Sequence, residues 1–208
     1  MSANFPLATY PLAALCLHTE FSPLPGLTFR ESLYNGVASD RINRQFRFCP
    51  RSDGMFNIGS LSYHIGEEDR HHGYYAVGYA LGSSPSETSA DKTFNYALWT
   101  LIEQPLLHVG ESHLGAMWQG GTSPASRSTC RHYWGAGLIW SNIPPRMTQV
   151  GLVVNRALYA DGRETDVELT GSFPVCNHFT LQPAVHCINT NGNYTAAAQL
   201  RAILEFGN

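Results

Sequence analysis

Apolar and polar residues alternate along most of this chain with a period of two, and turn-forming residues interrupt the alternation at short intervals. Successive side chains of an extended strand point to opposite faces, so this period predicts strands with one apolar and one polar face. In 164–173, Thr165, Val167, Leu169, Gly171 and Phe173 oppose Glu164, Asp166, Glu168, Thr170 and Ser172. In 178–188, Phe179, Leu181, Pro183, Val185 and Cys187 oppose Thr180, Gln182 and His186. In 198–206, Leu200, Ala202, Leu204 and Phe206 oppose Gln199, Arg201, Ile203 and Glu205. Trp134, Ala136, Leu138 and Trp140 alternate with Gly135, Gly137 and Ile139. Few stretches hold a helical period. The pattern predicts strands at 10–18, 26–35, 54–64, 73–82, 94–103, 111–119, 132–140, 148–159, 164–173, 178–188 and 198–206.

Turn chemistry separates these strands as hairpins require. Asp161-Gly162, Pro174 to Asn177, and Asn189 to Tyr194 with its Asn191-Gly192 pair are short links. Ser83–Lys92 and Gln119–Cys130 are longer ones, and Pro144-Pro145 makes Ser141–Met147 a loop. The fold class is therefore all-β and antiparallel.

Two architectures share this pattern. In a soluble sandwich the apolar face is the core; in a membrane barrel it meets lipid while the polar face lines the lumen. Most predicted strands are about nine to eleven residues long, the length of a tilted transmembrane strand, against about five or six in soluble proteins. Aromatics near strand ends (Tyr133, Trp134, Trp140, Tyr159, Phe173, Phe179, Phe206) fit the interfacial belts of a membrane protein. Both features favour the barrel.

Composition points the same way. Only 14% of the 208 residues are charged against 43% hydrophobic, fewer charges than the roughly one quarter usual in a soluble domain. The mean hydropathy of -0.18 is nonetheless not that of a uniformly apolar chain. A net charge of -3 supplies no basic field for nucleic acid. No run of 18 apolar residues marks a transmembrane helix. The opening Met-Ser-Ala-Asn-Phe-Pro lacks the basic segment and apolar core of a signal peptide.

The five cysteines (Cys16, Cys49, Cys130, Cys176, Cys187) contain no CxxC pair and are odd in number, which argues against a zinc site and against a complete disulfide framework. Cys176 and Cys187 flank one predicted strand, leaving a cross-strand pair open beside the reading of scattered small apolar residues. His71-His72 after Asp69 and Arg70 is a poor chelate, since neighbours on a strand point oppositely. Glu67-Glu68-Asp69 reads as a solvated acidic turn. Ser126, Ser128 and His132 have no triad spacing. No metal, cofactor or catalytic site is expected.

The ordered series of segments resembles the carbohydrate-selective porins of Gram-negative outer membranes, the glucose-porin type, in their C-terminal half. The resemblance runs through Ser2 to Pro6 and Tyr10 to Leu15, then Ser32-Leu33-Tyr34-Asn35-Gly36. It continues in Tyr96-Ala97-Leu98-Trp99 to Glu103-Gln104-Pro105-Leu106 and in Tyr133-Trp134-Gly135-Ala136-Gly137-Leu138. Glu164-Thr165 to Glu168-Leu169-Thr170, Leu181-Gln182-Pro183 and the Asn189 to Gly192 turn complete it. It covers almost the whole chain, so residues 1–208 are expected to form one unit, the C-terminal part of a porin barrel. It implies a non-enzymatic outer-membrane protein that passes small sugars. The implied partners are mono- or oligosaccharides, outer-membrane lipid and lipopolysaccharide, and either a missing N-terminal half or a second chain. Family barrels close with about sixteen strands; about ten or eleven here predict a partial barrel, for which three outcomes are open: an open or incompletely closed sheet, which is favoured, a smaller closed barrel, or one pore completed by two chains.

A sugar channel needs groups that match hydroxyls and flat apolar surfaces for sugar faces, in weak repeated contacts. On the inferred lumen faces these are Trp99, Glu103, Glu164, Asp166, Glu168, Arg201 and Glu205. Carboxylates and guanidinium groups grip vicinal hydroxyls at two points, or else pair with each other to support the wall. Trp99 shares a face with Glu103 by parity and is either a stacking surface inside the pore or an interface aromatic on an imperfectly alternating strand, while Trp118, Trp134 and Trp140 are expected to face lipid. Two readings compete with it: a soluble periplasmic all-β carbohydrate-binding module with a sandwich core, and a truncated barrel remnant with no transport activity.

Overall fold

The computed structural model describes residues 14–36, 48–65, 73–85, 92–124, 128–144 and 147–205. They form one antiparallel sheet in which every strand pairs with its neighbour in sequence. The strands are β1 (Cys16–Leu24), β2 (Leu27–Asn35), β3 (Met55–Ile65), β4 (Gly73–Pro85), β5 (Lys92–Val109), β6 (Ser112–Thr122), β7 (Cys130–Ile143), β8 (Met147–Tyr159), β9 (Arg163–Cys176), β10 (Phe179–Thr190) and β11 (Asn193–Leu204). A short helix, α1 (Pro50–Asp53), lies between β2 and β3. The sheet is not closed by hydrogen bonds: β1 and β11 are its edges.

The connections sort onto two rims. Two-residue turns at Pro25-Gly26, Gly110-Glu111 and Asn177-His178 lie on one rim, and β2 ends and β3 begins on the other. There the amide of Asn35 donates to Asp53 at 3.0 Å, beside a 3.1 Å bond from the Gly36 N–H to the Gly54 carbonyl. The β10–β11 hairpin turns through Asn191 (φ 54) and Gly192 (φ 96), a pair of positive φ values that suits Asn-Gly.

Parity carries across the whole sheet because paired residues share a face. Leu27, Tyr63, Tyr75, Ile102, Trp118, Ala136, Val154, Val167, Cys187 and Ala196 form one continuous row of partners across ten strands. This apolar face is exposed; Leu169 is 54% and Leu200 67% accessible. On β7 it reads Trp134, Ala136, Leu138, Trp140, aliphatics framed by indoles about 20 Å apart. The ring of Trp134 stacks on Trp118 at 5.9 Å and 10°.

Among the described residues, every buried strand side chain except Asn35 lies on the opposite face: Ser32, Phe56, Ser62, Ala76, Ala80, Asn95, Ala97, Cys130, Ser172 and Ala184. This face is polar overall but not throughout. Phe56, Ala80 and Ala97, with Tyr34 and Ile58, pack into an apolar cluster toward the rim where β2 ends and β3 begins.

Several expected boundaries move. The first strand is Cys16–Leu24 rather than 10–18; residues 10–13 lie outside the described residues. The strand expected to end at 103 runs on to Val109, because a bulge between Pro105 and Leu107 absorbs the proline that cannot donate to the ladder. The last strand starts at Asn193 rather than 198, since the turn needs only two residues. Pro174 to Cys176 belong to β9, not to the link. Cys187 pairs with Val167 and Cys176 with Phe179, so the two cysteines are not cross-strand neighbours, and all five cysteines are free thiols. Residues 66–72, with the acidic turn and His71-His72, lie outside the described residues.

Candidate functional site: the polar face of the sheet

Glu164, Asp166 and Glu168 occupy alternate positions of β9, so all three carboxylates project from the polar face at intervals of about 6.6 Å. β10 answers from across the ladder with Thr190, Ile188 and His186 as their respective partners. The Thr190 hydroxyl donates to Glu164 at 3.3 Å. The Nδ1 of His186 lies 3.2 Å from Asp166 Oδ2. Asp166 is also across from Asn155 of β8. The side-chain oxygen of Asn155 accepts from the Tyr133 hydroxyl at 2.8 Å, and the Gln119 amide donates to that hydroxyl at 2.6 Å. One polar network thus runs from β6 to β8 and a second joins β9 to β10, with Asn155 and Asp166 as ladder partners between them. Both border a cavity of about 330 Å³ lined in part by Tyr133, Asn155, Tyr159, Glu164 and Asp166.

The second group stands on β5. Trp99 pairs with Gly78 of β4, and its indole lies against that backbone so closely that a Cβ at position 78 would overlap the ring. Glycine is what lets the ring lie flat. Glu103, four residues on and on the same face, sits between Tyr74 and Met117 and is exposed. Four strand spacings, about 19 Å, separate β5 from β9. Arg201 is on the polar face of β11 opposite Gln182 and is exposed. Glu205 follows the end of β11, where its N–H donates to the His178 carbonyl at 3.0 Å. The structure therefore gathers Glu164, Asp166 and Glu168, leaves Trp99 with Glu103 and Arg201 at other places on the same sheet, and puts Glu205 just past its last strand.

Other polar-face groups were not singled out from sequence. Arg30 Nε donates to Glu20 at 2.7 Å and its Nη1 to the Ser62 hydroxyl at 3.3 Å. His18 Nδ1 and the Ser32 hydroxyl are 2.7 Å apart. Strand alternation in β1 and β2 is short and broken at Pro23, so only the β1–β2 register brings these residues together. Tyr133 and Tyr159 are a correction: both belong to the polar face, not to an aromatic belt on the apolar one. Tyr133 precedes Trp134, and adjacent strand residues cannot share a face. Phe206 lies outside the described residues.

No protein-family model and no curated protein matches this chain. In three dimensions it is similar to OprB of Pseudomonas putida, with a TM-score of 0.72 at 14% identity. The likeness covers 93% of this chain and 58% of that one, so the chain spans a little over half of its structural relative. The chain has the fold of a porin-type β-barrel wall, present as an open antiparallel sheet.

Proposed function

We propose that this chain forms part of the wall of an outer-membrane pore through which small sugars pass passively, and that residues 1–208 correspond to the C-terminal part of a porin barrel. The observation that carries this reading is the division of one eleven-stranded sheet into an exposed apolar face and a face bearing carboxylates, amides and a flat indole. The likeness to OprB, a carbohydrate-selective outer-membrane porin, supports it. On this reading the apolar face meets outer-membrane lipid and lipopolysaccharide. Trp99 offers a ring to a sugar face, while Glu103, the β9 carboxylates, Arg201 and Glu205 offer hydrogen-bonding groups to hydroxyls. No bond to the solute is made or broken, so the function is transport and not catalysis. Hydrocarbon does not tolerate unpaired strand edges, so β1 and β11 take up further strands, from a longer polypeptide or a second chain.

The test is sugar-dependent swelling of liposomes containing the protein, together with heat-modifiable migration. Swelling with neutral monosaccharides supports the reading. A monomeric product that stays soluble without detergent overturns it in favour of the carbohydrate-binding module. Against that module stands the apolar face, whose side chains remain exposed where a sandwich would bury them.

A further inference from the structure

We propose that Asp166, Glu168 and His186 form a binding site for a divalent first-row transition ion, Zn²⁺ or Mn²⁺, on the polar face of β9 and β10. One ligand atom from each residue lies within 4.8 Å of the others, and the closest pair, His186 Nδ1 and Asp166 Oδ2, is 3.2 Å apart. Ligands held about 2.1 Å from a tetrahedral ion stand about 3.4 Å from one another, so a small side-chain contraction brings all three into range. Their backbones are fixed by a continuous ladder from Thr190↔Glu164 to Ala184↔Thr170. Alternation places Asp166 and Glu168 on one face, and the register puts His186 directly across from Glu168.

A second observation is independent of that convergence. The other carboxylate oxygen of Asp166, Oδ1, is shut off from solvent and has no hydrogen-bond partner among the described residues. A buried acceptor of this kind is costly unless something satisfies it. The polar faces of β8, β9 and β10 present no lysine or arginine to the carboxylates. A bound cation would meet both deficits. The imidazole decides the class: nitrogen with carboxylate oxygen suits Zn²⁺ or Mn²⁺, whereas Ca²⁺ and Mg²⁺ take oxygen ligands. Three protein ligands leave at least one coordination position for water or a solute hydroxyl.

The test is calorimetric titration of the untagged full chain, folded in detergent, with ZnCl₂ and separately with MnCl₂. A His71→Gln/His72→Gln background removes the adjacent histidine pair. One site of micromolar or tighter affinity is expected. Asp166→Asn, Glu168→Gln and His186→Gln should each weaken it at least tenfold, and Glu111→Gln, in a turn on the rim, should leave it unchanged. Far-ultraviolet circular dichroism and heat-modifiable migration establish that each variant is folded, and at least one of the three conservative changes is expected to be. The absence of a stoichiometric site, equal binding by the folded variants, or tighter binding of Ca²⁺ than of either ion overturns the proposal. Sugar flux is not part of the readout, so failure here and failure of the pore reading are separately visible.

Discussion

The Tyr79 hydroxyl lies 3.1 and 3.0 Å from the two carboxylate oxygens of Glu31, on the predominantly apolar face of the sheet. Both residues flank Gly59 in the ladder, and the Asn57 amide also donates to the carboxylate. A lone carboxylate is expensive in an apolar setting, and here donors from two neighbouring strands surround it. Tyr79→Phe should therefore destabilise the sheet by about 1–3 kcal/mol, the cost of stranding a partly buried acceptor. The joint change Glu31→Leu with Tyr79→Phe should cost much less, because it removes the carboxylate with its hydroxyl donor and leaves the Asn57 amide its 3.4 Å bond to the Ser32 carbonyl. Equilibrium unfolding of the detergent-folded protein measures both.

The exposed aliphatics give a direct comparison between lipid and water. Leu169 and Glu168 are neighbours on β9 and point to opposite faces. On the pore reading Leu169→Arg should cost about 2–4 kcal/mol in a bilayer if the site lies at midplane depth, and Glu168→Gln far less. In a water-soluble protein the same exposed leucine would tolerate arginine within about 0.5 kcal/mol. Folding titrations into lipid vesicles separate the two outcomes.

Trp99 and Gly78 form one unit. Gly78→Val should push the indole off the sheet and cost about 1–3 kcal/mol by overpacking. Trp99→Ala should keep the fold but slow sugar-dependent swelling severalfold. Swelling rates with a neutral sugar and with a small salt, compared for both variants, distinguish loss of the stacking surface from loss of the wall.

The ion pair between Arg30 and Glu20 is half exposed, at 41% and 50%. Such pairs contribute about 0–1 kcal/mol and are screened by salt. Glu20→Gln should accordingly change the unfolding midpoint little, and less still in 1 M salt. A shift much larger than that would mean the guanidinium depends on Glu20 to hold its second contact, the Ser62 hydroxyl.

The alternation of Glu164 to Phe173 and Phe179 to Cys187, and the Asn191-Gly192 turn, were legible in the sequence because side-chain period and turn geometry are local properties of a strand and a hairpin. They were enough to put Trp99 with Glu103, and Glu164 with Asp166 and Glu168, on the polar face. Only the tertiary structure decided which of these groups meet. His186 reaches Asp166, Tyr133 reaches Asn155, and Arg30 reaches Glu20 through strand registers. Registers are set by turn lengths and by bulges such as those at Pro105 and between Phe21 and Leu24. A bulge moves every later partner by one residue, and nothing in the periodicity of a single strand records the strand beside it.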